Sequence, residues 1–182
     1  KIIYKIHIIV YINKLFYNFK QFINYMRNIT DLKKYALNYI SKYSTSKKNL
    51  AIILQRKISK ISMEYKEKKN LKNSINNILE EFETKNFIND ENYATSKINF
   101  LITQGKSKNY IFNYLIKKGI DKYLINKIFL GLDDQNPDWE IKSAKIFIRK
   151  KRLIFKENSN NEKDLAKMIR AGFNYEIIKK LF

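Results

Sequence analysis

The fold is decided by two stretches of the chain that repeat one pattern. Residues 107–125 read SKNYIFNYLIKKGIDKYLI, and residues 163–178 read KDLAKMIRAGFNYEII. Gly119 of the first stretch aligns with Gly172 of the second. The apolar residues that then coincide are Leu115 with Met168, Ile120 with Phe173 and Ile125 with Ile178. Apolar residues at three- and four-residue steps on both sides of a glycine predict a helix, a left-handed glycine and a second helix.

A third, more divergent copy lies upstream. Residues 45–58, TSKKNLAIILQRKI, align with residues 106–120, so that Ser46 matches Ser107 and Ile58 takes the place of Gly119. We therefore expect the helix of this copy to end in a different backbone conformation from the helices that end at Gly119 and Gly172. Tandem units of about 50 residues predict an array of repeats. We place the units at residues 30–87, 88–135 and 136–182, each with three helices, and treat residues 1–29 as an N-terminal extension.

The composition favours helices throughout. Four glycines and one proline in 182 residues leave too few turn residues for an all-β sandwich or barrel. We expect one continuous helix over residues 71–87. The predicted N-terminal caps are Thr30 or Asp31, Ser44 or Ser46, Asp90, Ser107, Asp121, and Asn136 followed by Pro137. The predicted helix stops are Gly105, Gly119, Gly131 and Gly172.

The first 26 residues, KIIYKIHIIVYINKLFYNFKQFINYM, are apolar, aromatic and basic. They lack the cleavage site of a signal peptide and the uninterrupted apolar length of a membrane span. Two interpretations stay open. The segment is extraneous to the working domain, with Met26 as the initiator, or it is a helical arm that could lie on a membrane surface.

Residues for catalysis are scarce. There is no cysteine, and His7 is the only histidine, which excludes thiol chemistry, zinc clusters and serine–histidine–aspartate triads. The GKS at residues 105–107 has Phe100 where a phosphate-binding loop needs glycine. Asp133, Asp134 and Asp138 fit hydrated helix caps better than a magnesium site. We predict a protein that is not an enzyme, without catalytic residues, metal or cofactor, and the lack of cysteine fits a reducing cytoplasm.

The surface is strongly cationic, with 37 lysines and arginines against 17 acidic residues and a net charge of +20. Part of this excess fits AT-rich codons. The charge favours contact with a polyanion such as nucleic acid, and the alternative is a solvated cationic face. The cations that we predict for partner or DNA contact are Arg56, Lys57, Lys117, Lys118, Arg149, Lys150, Lys151, Arg152, Lys167 and Arg170. Tyrosines could stack on unpaired bases, although their helical spacing predicts that most lie in the core.

Three stretches carry a family resemblance: ALNYISKYSTSKKNLAIILQRKI (36–58), INDENYA (88–94), and IRKKR (148–152) followed by EKDLAKMIRAGF (162–173). They resemble the bacterial RecX family, modulators of the RecA recombinase, over residues 30–182. The resemblance implies an all-α fold of three three-helix repeats in an elongated, curved array. It also implies a monomer that lies in the groove of the RecA–single-stranded DNA filament. There it would inhibit ATP hydrolysis, strand exchange and coprotease activity, and so restrain recombination and the SOS response. No membrane partner is expected for such a protein.

The positions that match the family's motifs are Asp90, Tyr93, Ala94, Gly119, Lys151, Arg152 and Gly172. We assign structural roles, in caps and in close helix approach, to Asp90, Tyr93, Ala94, Gly105, Gly119 and Gly172, and contact with the filament or DNA to Lys151 and Arg152. The chain departs from the family in its few arginines and in Ile58, which leaves the geometry of phosphate or carboxylate contacts open. The alternative function is a stand-alone helical DNA- or RNA-binding protein of the helix-turn-helix type.

Overall fold

The computed structural model describes residues 2–61, 63–153 and 162–181, with side chains from Tyr11 onward. Within these residues the chain forms helices and no strands, which confirms the all-α prediction. The helices are α1 (Ile2–Ile40), α2 (Lys47–Lys60), α3 (Tyr65–Asn73), α4 (Ile75–Thr84), α5 (Asp90–Thr103), α6 (Lys108–Lys117), α7 (Lys122–Gln135), α8 (Trp139–Lys151), α9 (Glu162–Arg170) and α10 (Tyr175–Lys179). None of the described helices combines the length and the apolar character needed to cross a membrane.

The chain divides into two compact units, Lys1–Ile88 and Asn89–Phe182. The first unit has one apolar core, and the second has two, the earlier built on α5–α7 and the later on α8–α10. Ile88 packs in the first core, and Trp139 packs with the α5–α7 core. The division into three repeats at 30–87, 88–135 and 136–182 stays a prediction.

The long helix α1 corrects the predicted cap at Thr30 or Asp31. Both residues lie inside the helix, and the Thr30 hydroxyl donates to the Met26 carbonyl at 2.9 Å. A serine, threonine or aspartate marks a helix start only where the preceding chain leaves the helical conformation, and here it does not. The C-terminal end of α1 joins the first core through Leu32 and Ala36.

The helix α2 begins and ends as its sequence predicts. Its N-cap is Ser46, whose side chain accepts from the Asn49 amide at 3.2 Å, and Leu50, Leu54 and Ile58 are fully buried. The helix ends at Ile61 in an extended conformation, without the left-handed residue that glycine supplies in the other copies. The different exit expected from Ile58 is therefore present.

The predicted single helix over residues 71–87 is wrong, because the chain forms α3 and α4 with a break at Ser74. The Ser74 hydroxyl donates to the Leu71 carbonyl at 2.8 Å, which is the local competition for backbone groups that serine introduces within helices. The lysine-rich residues before Leu71 are helical as well, since α3 begins at Tyr65. Asn86, at φ +57°, follows the end of α4.

Three of the four predicted glycine stops are confirmed. Gly105, Gly119 and Gly172 have φ of +76°, +81° and +88°. In each case the next residue donates its N–H to the carbonyl five residues back, and these bonds are Lys106 to Leu101, Ile120 to Leu115 and Phe173 to Met168. This is the Schellman arrangement, in which a left-handed residue reverses the chain so that the last carbonyls gain donors.

The predicted stop at Gly131 is wrong, because α7 continues through it to Gln135. A glycine inside a helix costs only about 1 kcal/mol. The burial of Ile125 and Phe129 in the same helix outweighs that cost.

Besides Ser46, two further predicted caps are confirmed, and besides Thr30 or Asp31, two more are wrong. The side chains of Ser107 and Asp121 accept backbone N–H groups at the starts of α6 and α7. Asn89, not Asp90, caps α5, because the Asn89 side chain accepts from the Asn92 amide at 2.9 Å and Asp90 is already helical.

The predicted start at Asn136 and Pro137 is also displaced. Asn136 ends α7 by donating its N–H to the Leu132 carbonyl at 2.9 Å, and α8 begins two residues beyond Pro137, at Trp139. The polar sequence KENSNN at residues 156–161 predicts a loop, and these residues lie outside the described ones.

Candidate nucleic-acid and partner interface

Within the unit Asn89–Phe182, the end of α5 packs against α8 with no space for a side chain at Gly105. A Cβ there would lie 2.8 Å from the backbone nitrogen of Phe147. Beside it the buried Ser143 hydroxyl donates to the Lys106 carbonyl at 2.8 Å. Gly105 thus combines a left-handed backbone with a close approach between two helices, and a side chain fits neither.

A second close approach joins the start of α6 to the chain after α9. Ser107 accepts from the Tyr110 amide at 3.2 Å and donates to the Ala171 carbonyl at 2.7 Å. The Asn109 side-chain amide donates to the Gly172 carbonyl at 3.2 Å. A Cβ on Gly172 would lie 2.8 Å from the Ser107 hydroxyl oxygen. These bonds fix α6 relative to α9.

Two carboxylates, those of Glu140 and Asp133, accept hydrogen bonds from Lys108 at the start of α6, and their pKa values are shifted in opposite directions. Glu140 is buried and accepts from the Lys108 amide at 2.9 Å; burial raises its pKa, and the hydrogen bond opposes this only in part. Burial would also raise the pKa of Asp133, but hydrogen bonds from Lys108 and Trp139 outweigh burial and lower it. The Asp133 carboxylate accepts from Lys108 Nζ at 2.7 Å and from Trp139 Nε1 at 2.6 Å.

This geometry corrects the interpretation of Asp133 as a hydrated cap, since its partners are internal side chains. Asp138 occupies the N-cap position of α8 but makes no capping side-chain bond, and Asp134 is exposed. Across the described residues, no group of three or more histidine, cysteine or acidic side chains could hold a metal ion.

The fixed pair of helices encloses an open groove of about 310 Å³, which we call the α6–α9 groove. The helix α6 contributes one of its faces, and the end of α9 contributes the opposite wall. The lining residues are Asn109, Tyr110, Asn113, Tyr114, Lys117, Arg170, Ala171 and Gly172. The structure thereby brings together two of the predicted contact residues, Lys117 and Arg170, which lie far apart in sequence.

Two further lysines border the tyrosines of the groove. Lys106 Nζ lies 4.5 Å from the centre of the Tyr110 ring, and Lys118 Nζ lies 5.7 Å from that of Tyr114. The lysines at these distances are attracted to the ring faces. The groove therefore combines cations, amide groups and aromatic rings, the side chains that contact phosphates and unpaired bases.

Sequence reasoning missed most of this lining. Tyr110, Tyr114 and Lys117 follow one another at four and three residues, which places them on one face of a helix, so the periodicity was available. The prediction that most tyrosines lie in the core is wrong: among those whose burial is described, only Tyr93 is buried. Tyrosine has a polar hydroxyl that favours the edge of a core over its centre.

The remaining predicted cations lie on other elements. Arg149, Lys150, Lys151 and Arg152 are exposed at the end of α8, and Lys150 Nζ donates to Gln104 Oε1 at 3.0 Å. Arg152 has φ +52° and closes the helix in the left-handed conformation. Arg56 and Lys57 are exposed on α2 in the other unit, with Lys57 Nζ 5.0 Å from the centre of the Tyr35 ring. On α9, Lys167 forms an ion pair with Asp164 at 2.7 Å.

A second groove, of about 260 Å³, lies between α5 and α7. Lys127 and Glu91 line it and form an ion pair at 3.2 Å. Gly131 also lines it and has open space where a Cβ would lie. This groove, which we call the α5–α7 groove, lacks the tyrosine pair of the α6–α9 groove and offers a comparison within the same unit.

Comparison by sequence and comparison by structure both find proteins named RecX. The chain is 30% identical over 159 residues to regulatory protein RecX of Myxococcus xanthus strain DK1622, which covers 84% of each chain. No family model matches the chain.

Two crystal structures share the fold. That of RecX from Lactobacillus salivarius superimposes with a TM-score of 0.65 at 21% identity, covering 86% of this chain and 95% of the other. A second crystal structure, of a regulatory protein RecX, gives a TM-score of 0.64 at 18% identity over 85% and 72% of the two chains.

Proposed function

Because the chain belongs to the RecX family of regulatory proteins, we propose that it regulates the RecA recombinase. It binds in the groove of the RecA–single-stranded DNA filament and inhibits ATP hydrolysis, strand exchange and coprotease activity. Recombination and the SOS response are restrained as a result. The protein acts in the cytoplasm as a monomer, by binding and not by catalysis. The observation that carries this proposal is the identity of 30% over most of both chains.

The α6–α9 groove supports contact with the single-stranded DNA of the filament. Lys117 and Arg170 provide two cations from two helices, and the tyrosines between them present ring surface to a strand without paired bases. The net charge of +20 favours approach to an anionic nucleoprotein. Lysine predominates over arginine, so phosphates would be met by point charges more often than by bidentate pairs.

The shape of the whole molecule belongs to the same proposal. Three helical repeats in an elongated, curved array would reach successive subunits along a filament groove. The exposed cations at the end of α8, from Arg149 to Arg152, and those on α2, Arg56 and Lys57, would then add contacts beyond the α6–α9 groove.

The first experiment measures ATP hydrolysis by RecA on single-stranded DNA as the full chain is added. We expect inhibition at substoichiometric amounts, because one regulator on a filament affects several subunits. Unchanged hydrolysis at one molecule per RecA subunit would refute the proposal.

A second measurement tests the groove. The double substitution Lys117→Gln and Arg170→Gln should raise the concentration needed for half-inhibition by about tenfold, since two charge-assisted contacts are lost. The control, Lys127→Gln, removes a cation from the α5–α7 groove and should leave inhibition nearly unchanged. Because the double variant removes two charges and the control removes one, an equal effect per charge removed would show that overall charge, and not this groove, is responsible.

The alternative of a stand-alone reader of duplex DNA is separated by binding to DNA without RecA. A helix-turn-helix reader prefers certain duplex sequences, whereas backbone contacts give steep salt dependence and little sequence preference. Sequence-selective duplex binding at physiological salt, together with unchanged RecA activity, would favour the alternative.

A further inference from the structure

The N-terminal part of α1 exposes a continuous apolar surface. At about 100° per residue, the apolar residues from Tyr11 to Met26, apart from Tyr17 and Tyr25, fall within an arc of about 140°. We call them the apolar stripe: Tyr11, Ile12, Leu15, Phe16, Phe19, Phe22, Ile23 and Met26. Each of these side chains is exposed, by 43% for the least and 71% for the most. An exposed row of this length on a helix marks a surface that binds something apolar.

The stripe does not belong to the core of its own unit. The opposite, polar side of the helix lies toward α3, where Gln21, Tyr25 and Asn28 line a small cavity of about 60 Å³ together with Glu67 and Asn70. Over residues 21–28 the helix therefore faces its own unit through Gln21, Tyr25 and Asn28, and only further along the helix do Leu32 and Ala36 enter the core. The stripe lies about a third to half a turn away from those polar side chains and faces outward.

The charges around the stripe have one sign. Residues 11–29 carry Lys14, Lys20 and Arg27 and no acidic residue, and all three cations lie outside the stripe. The spacing would also suit a second copy of the helix, but two copies of a chain with net charge +20 repel each other, and neither arm has an acid to pair with. An anionic bilayer provides the missing negative charge and an apolar interior at once.

The same residues determine the orientation of the helix relative to the bilayer. Polar residues recur along one side over the whole segment, so the helix cannot cross a bilayer without burying them, in agreement with the lack of a spanning helix in the described chain. Aromatic side chains make up half of the stripe, and such rings favour the boundary between headgroups and acyl chains.

We propose that residues 11–29 bind the surface of an anionic lipid bilayer as a helix parallel to it, with the apolar stripe immersed and the cations among the headgroups. This site is independent of the RecA proposal. It would place the regulator on a membrane surface through one end of the chain.

The test is flotation of the full chain with vesicles of phosphatidylglycerol and phosphatidylcholine in equal parts, against vesicles of phosphatidylcholine alone. We expect binding to the anionic vesicles only. Phe19→Ser, in the middle of the stripe, should weaken binding by about tenfold or more, because a large apolar side chain no longer enters the bilayer. Tyr17→Ser removes a ring of nearly equal exposure, 63% against 61%, from the polar side and should bind as the unmodified chain does.

Three results would overturn the proposal. The first is that the full chain fails to float with anionic vesicles. The second is that Phe19→Ser floats as well as the unmodified chain, since the overall positive charge would then account for binding, and the third is that the stripe mediates a dimer in solution. Sedimentation of the same variants detects the last result, as a dimer that Phe19→Ser dissociates. Circular dichroism confirms that the variants keep their helical content.

Discussion

The two units of the molecule hold their helices together in different ways. In Lys1–Ile88 one apolar core is bordered by surface ion pairs, among them Glu81 with Lys33 and Lys85. In Asn89–Phe182 two cores meet, and the contacts between them use Gly105, Gly172 and buried polar groups. All four glycines of the chain lie in this second unit. At Gly105 and Gly172 the backbone of one helical group approaches another too closely for a side chain, whereas the first unit packs its single core without glycine.

The strongest test of this difference is an alanine at a glycine of the second unit. Gly172→Ala should lower the free energy of unfolding by about 3 kcal/mol, because alanine is strained at a left-handed φ and its Cβ would collide with the Ser107 hydroxyl. The measurement is urea denaturation followed by circular dichroism.

The matched control is Gly131→Ala in α7. Its Cβ would meet open space in a helical backbone, so the variant should be more stable by about 1 kcal/mol. If the same substitution lowered stability equally at both positions, the close approach at Gly172 would not explain the effect.

The next prediction concerns Glu140 at the junction of the two cores. Burial raises its pKa, so the folded chain binds this proton more tightly than the unfolded chain. The contribution of Glu140 to stability should therefore fall as the pH rises from 4.5, its ordinary value, through its higher folded pKa. Glu140→Gln keeps an oxygen to accept from the Lys108 amide and loses the charge.

We expect the glutamine variant to lose this part of the pH dependence and to gain up to about 1 kcal/mol at neutral pH. Urea midpoints at several pH values above 4.5 measure both effects. Glu176→Gln, at an exposed position, is the control and should preserve the dependence. If the stability of the Glu140→Gln variant depended on pH as steeply as that of the unmodified chain, the buried carboxylate would not be the source of this pH dependence.

The smallest effect is expected in the first unit, at Glu81. Hydrogen bonds from Lys33 and Lys85 lower the pKa of Glu81 to about 2. Its stabilisation is present above pH 4.5 and is lost as the pH falls toward 2. Because the ion pairs are at the surface, Glu81→Gln should change stability only slightly at neutral pH, and salt at about 1 M should abolish the difference. Carboxyl NMR titration measures the pKa directly, and titration near 4.5 would contradict the pairing.

Local signals in the sequence predicted the helix ends that local chemistry controls. Ser46, Ser107 and Asp121 cap helices because their side chains accept backbone N–H groups within a few residues. Gly105, Gly119 and Gly172 stop helices because their backbones turn left-handed. The repeated phrase around Gly119 and Gly172 has the same hydrogen-bond pattern in both places.

The wrong predictions of helix ends concern residues at which the preceding helix or burial in the core outweighs the preference of the residue itself. Thr30 is an acceptable cap, but the residues before it are already helical, and Gly131 is a breaker in a helix that burial maintains. The α6–α9 groove could be predicted only in part. Lys117 and Arg170 were identifiable as cations, but their proximity depends on the contact of Ser107 with Ala171, 64 residues away.

The position of Trp139 has a practical consequence. It is the only tryptophan of the chain, it stacks on Phe129 with ring centres 5.7 Å apart, and it is 2% exposed. Its intrinsic fluorescence will therefore report on Asn89–Phe182 alone, while the ellipticity of the helices reports on both units. One sample thus carries two optical probes, and a separation of their melting curves would reveal whether the two halves unfold as one cooperative body or in succession.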